Sequence, residues 1–147
     1  MFQHAFRDLD RRRWFDRMHP QTLAIATWLL YIDGVFNVLA FLDRQSIWGY
    51  WRLQGGVGLP LTLLALVAYP LGGFLMANGK RLGWWIAVGA AASPWILRLV
   101  WKSTVYWDVS LEWLLVGDTY VSFMFEAALL ALLVHPMSRS HAERWMR

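Results

Sequence analysis

Four long apolar stretches, at residues 22–42, 57–77, 82–101 and 114–135, run through this 147-residue chain, and no soluble fold accommodates all of them. Each is close to the ~20 residues that a helix needs to cross ~30 Å of hydrocarbon. They occupy more than half of the chain and leave no contiguous segment large enough for a soluble catalytic domain. Composition agrees: 58% of residues are hydrophobic and 16% charged, against about 25% charged in soluble domains. The expected fold is all-α, a single domain over 1–147. It comprises an integral membrane bundle of four transmembrane helices, a cytoplasmic or interfacial segment at 1–20 and a short helical tail at 136–147.

The first run carries a flank of about twenty residues before it and no small-residue cleavage site after Leu42, so it reads as a retained span rather than a signal peptide. The chain contains no cysteine, which excludes disulfides, thiolate metal sites and an oxidase working through a cysteine pair.

The net charge of +4 is distributed by topology. Arg7, Arg11, Arg12, Arg13 and Arg17 precede the first run, Lys80 and Arg81 sit between the second and third, and Arg139, Arg144 and Arg147 follow the fourth. The positive-inside rule therefore predicts that both termini and the turn at 78–81 are cytoplasmic, and the run of apolar helix, short basic turn and Gly83-Trp84-Trp85 resembles small four-span proteins of the bacterial inner membrane, so a multi-pass cell (inner) membrane protein is expected. The basic cluster Arg11, Arg12, Arg13 and Arg17 serves as a cytoplasmic anchor, with anionic lipid heads as its partners at about 1 kcal/mol per basic residue. Nucleic acid is not an expected partner.

Residues 2–18 are expected to form a helix near the interface, ending at His19-Pro20. Near the other end, Ser140-x-x-Glu143 fits a capping box that would start a terminal helix with Trp145 turned back to the membrane. The two loops on the opposite side are rich in rings. Trp48, Tyr50 and Trp51 lie in the first, and Trp101, Tyr106, Trp107 and Trp113 lie around the second. An aromatic belt at headgroup level is the simplest account. A docking surface for another subunit, or a mouth for a lipidic ligand, is the sharper one.

Charged groups inside membrane spans are expensive and face the bundle interior. Asp33 and Glu126 fall near one depth, about the midplane, and Arg98 and Asp118 fall roughly 10 Å further out by the ~1.5 Å helical rise. Asp33 and Asn37 share one helical face, and Asp118, Ser122 and Glu126 another. Two polar stripes are thus expected to confront each other. Arg98 should pair with Asp118 through its planar fork. Two carboxylates at one depth require either a cation or a proton between them. The cluster reads as structural glue between helices, as an ion pathway, or as a contact with a partner helix. Pro60, Pro70 with Gly72-Gly73, and Pro94 are candidate helix breaks, and Gly83, Ala87 and Ala91 form a small-residue stripe suited to close helix contact.

No phosphate-binding loop, metal-ligand spacing or nucleophile motif is present. His4, His19, His135 and His141 all lie at or beyond the cytoplasmic membrane surface, so no pair on facing spans could ligate a haem. No cofactor is expected. The function expected is therefore non-enzymatic: an accessory or scaffolding subunit of a larger membrane complex, with membrane-protein partners or copies of itself. The alternatives are a small proton- or ion-coupled transporter or channel using the intramembrane carboxylates, and a lipid- or quinone-binding membrane protein.

Overall fold

The structure is a computed structural model that describes residues 9, 10, 12, 14, 21–44, 46–105, 107–117 and 119–146, with Ser46 described by its backbone alone. The described residues form helices and no strands: α1 (Gln21–Leu42), α2 (Ser46–Gln54), α3 (Gly58–Ala77), α4 (Arg81–Thr104), α5 (Leu111–Val116), α6 (Tyr120–Val134) and α7 (Pro136–Arg144). Three of these, α1, α3 and α4, are long and apolar enough to cross a membrane. Taken together, α6 and α7 make a fourth such length, bent by 47° between Val134 and Pro136.

The run at 114–135 is not the single helix that its hydropathy implies. It breaks at Gly117, whose φ of 81° and ψ of −153° suit only a residue without a side chain. Ser110 caps α5 by accepting from the Trp113 amide, and Thr119 caps α6 by accepting from the Ser122 amide. Two local capping signals outweigh an unbroken apolar average.

α1 packs on α3 and on α6, and α4 packs on the same two, so these four helices close a ring in the order α1, α3, α4, α6. The small-residue stripe lies within this ring. Gly83, Ala87 and Ala91 are buried, and a Cβ added at Gly83 would stand 2.5 Å from the Met76 backbone nitrogen on α3. Both α3 and α4 continue as helix through Pro70 and Pro94, so neither proline opens an unwound segment.

Hydrogen bonds from side chains fasten the two ends of the ring. At the end where α1 starts and α6 finishes, Thr22 and Ser138 share a hydroxyl bond of 2.8 Å, and the Trp84 indole donates to the Leu133 carbonyl at 3.0 Å. That carbonyl belongs to the last turn of α6 and has no acceptor role left within the helix. At the opposite end, α2 folds back over the ring. Arg52 donates to the Leu42 carbonyl at 2.6 Å, placing a cation at the C-terminus of α1, where the helix dipole is negative.

Two terminal expectations change. Leu9, Asp10, Arg12 and Trp14 are not helical, and the rest of the helix expected over 2–18 lies outside the described residues. The Asp10 amide instead donates to the Asn78 side chain, and the Tyr31 hydroxyl to the Trp14 carbonyl, each at 2.8 Å. The terminal helix starts at Pro136, not at Ser140. His135 Nδ1 accepts from the Met137 amide, and proline occupies the first turn, where its missing N–H costs nothing. Ser140 lies inside that helix and donates to the Met137 carbonyl. Trp145 is exposed, whereas Met146 turns into the core.

Candidate functional site

One cavity of about 330 Å³ lies between α1 and α6 at the end of the ring covered by α2. Helical spacing builds its walls. On α1, Asp33 and Asn37 lie one turn apart, and on α6, Ser122 and Glu126 do the same, so each helix turns a two-residue polar stripe to the other. Arg98 enters from α4, and Trp48 and Ile47 close the cavity from α2. Five of the six residues expected in the intramembrane polar cluster therefore meet. Asp118 lies outside the described residues, and with it any test of the expected pair with Arg98.

The structure gives Arg98 a different carboxylate. Its Nη2 donates to both Glu126 oxygens at 3.0 Å, and its Nη1 approaches the Leu115 carbonyl at 3.4 Å. The same carbonyl accepts the Trp95 indole at 2.9 Å, which ties α5 to α4. The contact to Glu126 comes from one nitrogen and not from a parallel fork. Arg98 is 4% exposed and so is almost entirely removed from solvent. The cation required by two carboxylates at similar depth is thus supplied within the chain, on the Glu126 side.

Asp33 is 7% exposed, and its Oδ2 has no hydrogen-bond partner among the described residues. An unsatisfied buried polar atom ordinarily costs about 1–3 kcal/mol, more when charged, so this oxygen marks a place where the site is incomplete. The buried Tyr69 hydroxyl, from α3, interacts with the Ser93 and Asn37 side chains and lies within the field of Asp33 and Glu126. Phe36, Val121 and Phe125 line the outer part of the cavity and are exposed. Thr119 and Ser122 are exposed there too, so the cavity is charged at its inner wall and carries both apolar side chains and hydroxyls at its mouth.

The described members of the expected outer aromatic surface divide between core and solvent, with Tyr50, Trp51 and Trp101 in ring contact. Trp48 and Trp51 are each 2% exposed, buried beneath α2. The reason is that 46–54 is helical, so Ile47, Trp48 and Trp51 fall on one face, and each ring gains on the order of 150–250 Å² of burial by turning inward. The Trp51 indole donates to the Leu97 carbonyl at 3.3 Å and meets Trp101 edge-on at 5.0 Å. Tyr50, Trp101 and Trp113 are half-buried, Trp107 is 76% exposed, and Tyr106 lies outside the described residues. Of the basic anchor, Arg12 is exposed, and Arg11, Arg13 and Arg17 are likewise outside them. The contributions of Ile47, Trp48 and Thr119 to the cavity are invisible in the sequence. Only the spacing of Ile47, Trp48 and Trp51 hints at a helix there.

A second hollow of about 390 Å³ runs along the outer face of α3 and α4, lined almost wholly by apolar atoms from residues such as Leu64, Ala68, Gly89 and Ile96.

No family model, curated protein or solved structure matches this chain. Its functional reading therefore comes from geometry.

Proposed function

We propose that this chain is a multi-pass membrane protein that crosses the bilayer four times, with α6 and α7 as its bent fourth span and both termini cytoplasmic. In this reading it binds a small amphiphilic molecule in the cavity between α1 and α6 and catalyses no reaction. The observation that carries it is the cavity's polarity gradient. Charged and amide groups stand at the inner wall, and Phe36, Val121 and Phe125, with the hydroxyls of Thr119 and Ser122 among them, stand at a mouth that faces acyl chains in this placement. A volume near 330 Å³ lies within the ~300–1,000 Å³ typical of ligand sites, which are largely apolar with few polar anchors. Leu23, Ala26, Leu30, Leu129 and Leu133 are fully buried and fill the other half of the ring, which favours a pocket closed at one end over a through-path for ions.

Native mass measurement after mild detergent extraction tests this reading. The wild-type protein is expected to retain a small non-covalent adduct, or to take one up from added amphiphile. Ser122→Trp, which fills the cavity, should abolish it, and Gly89→Ala, outside the cavity, should not. A wild-type protein that neither retains nor takes up any such molecule would sink the reading.

The hollow on α3 and α4 favours a second one, as an accessory subunit or a self-associating protein. A Cβ added at Gly89 meets nothing within 4 Å, and small residues on both sides leave room for a helix of another chain to approach closely. Gly89→Leu should then weaken co-purification of that partner or reduce the mass of the assembly.

A further inference from the structure

Within the reading of the cavity as an amphiphile site, its charge and its one unmet hydrogen bond point further, to the chemistry of the ligand's head. We propose that the cavity receives an organic ammonium ion, with an N–H donated to the Asp33 carboxylate and the apolar body lying toward Phe36 and Phe125.

Charge comes first. Among the described groups lining the cavity, Asp33 and Glu126 are acidic and Arg98 is basic, so one negative charge is in excess. Arg98 is committed to Glu126 through both 3.0 Å contacts, which leaves Asp33 as the group without a counterion. A buried carboxylate without a counterion costs several kcal/mol, and a ligand that brings its own cation removes that cost.

Hydrogen bonding comes second. Asp33 is 93% removed from contact by its 7% exposure, it lines the cavity, and its Oδ2 has no donor among the described residues. The protein thus leaves this carboxylate short of donors, and an ammonium N–H donated to it makes a charge-assisted bond, roughly twice as strong as a neutral one. Asn37 and Ser122, beside it, offer oxygens for the remaining N–H groups.

The walls decide between an organic and an inorganic cation. A metal ion of the calcium or magnesium type demands six or more oxygen ligands, and most of this lining is apolar. Phe36, Trp48 and Phe125 offer aromatic rings instead, whose faces attract alkylammonium groups and whose area suits a hydrocarbon body.

The test is calorimetric titration of the full chain, purified in detergent, with 2-phenylethylammonium chloride, with 2-phenylethanol and with sodium chloride. The amine is expected to bind at least tenfold more tightly than the alcohol, and sodium chloride at the same concentration to give no binding heat. Asp33→Asn should bring amine and alcohol to equal affinity. Because Asp33→Asn removes a buried group, its folding is checked by size-exclusion profile, and the amine-to-alcohol ratio of the wild type carries the test if it fails. Equal binding of amine and alcohol by the wild type would overturn the ammonium assignment and leave the amphiphile site standing. Binding of neither would overturn both. A sodium response equal to that of the amine would overturn it in favour of an inorganic cation. Nanodiscs of phosphatidylglycerol, with and without phosphatidylethanolamine, separate the source of the amine. A severalfold loss of amine affinity when the amino lipid is present identifies the lipid headgroup as occupant, and unchanged affinity identifies a free amine.

Discussion

The Ser93 hydroxyl donates to the Ala90 carbonyl at 2.6 Å, and Ala90 is the residue whose carbonyl Pro94, four positions on, leaves without its helical donor. The serine thus repairs the gap that the following proline makes, and α4 passes through Pro94 as unbroken helix. Ser93→Ala is expected to lower stability by about 1–3 kcal/mol, the cost of an unsatisfied buried carbonyl. In a Pro94→Ala background, where the backbone N–H returns, most of that cost should vanish. Thermal unfolding in detergent of the two single variants and the double variant measures the coupling. Equal losses in both backgrounds would show that the two residues act separately.

Removing one partner of the Arg98–Glu126 pair strands the other in a site with little solvent. Arg98→Met and Glu126→Gln should each destabilise, Arg98→Met by about 3–5 kcal/mol because it leaves a second carboxylate beside Asp33. Replacing both together should recover part of the loss. Chemical denaturation of the four proteins decides the matter, and additive losses would mean that the contact contributes nothing of its own.

Trp51 fastens α2 to the ring by its indole bond to Leu97 and its contact with Trp101. Trp51→Ala is expected to cost about 3–5 kcal/mol and to release α2 from the bundle. Trypsin cleavage at Arg52, slow in the native protein, should then become fast. Trp51→Phe, which keeps most of the ring and loses the hydrogen bond, should fall between the two.

Gly83 and Gly89 sit on the same helix and make opposite predictions. A methyl at Gly83 meets the backbone of α3 at 2.5 Å, so Gly83→Ala must push the two helices apart, at about 1–3 kcal/mol. A methyl at Gly89 meets nothing within 4 Å, and Gly89→Ala should be neutral or slightly stabilising. Melting midpoints of the two variants check the pair.

The chain lacks cysteine, so single cysteines report orientation without background. Arg81→Cys and Asp108→Cys lie at exposed positions at opposite ends of α4 and its following loop. In intact cells an impermeant thiol reagent should label only the second. Labelling of the first alone would invert the topology that the basic residues imply.

The three helices α1, α3 and α4 were legible within a few residues because their apolar runs are long and contain no competing cap. The Gly117 break was not, since an average over about twenty residues records transfer energy and not backbone dihedrals. Its signals were local: a glycine followed by Thr119 and Ser122, a capping pair. The site was legible in membership, because Asp33, Arg98 and Glu126 stand out as charges among apolar neighbours. The contact of Arg98 with Glu126 was not, because depth counted along an axis resolves about one turn, ~5.4 Å, and an arginine side chain spans more than that, so level alone does not name its partners. The inward turn of Trp48 and Trp51 was missed because aromatic loops at membrane ends ordinarily stay at the headgroups, and only α2's helical geometry reverses that preference.

The break at Gly117 also leaves α6 with 15 residues, about 22 Å of helix, beside an α4 of 24 residues, about 36 Å. The nine residues of α7, set at 47° to α6, supply the remaining length at the end where α1 starts. In the membrane placement proposed here the α6 wall of the cavity therefore begins at Thr119, with the Gly117 turn above it, so a polar head resting at the water boundary enters past a turn and not along a helix.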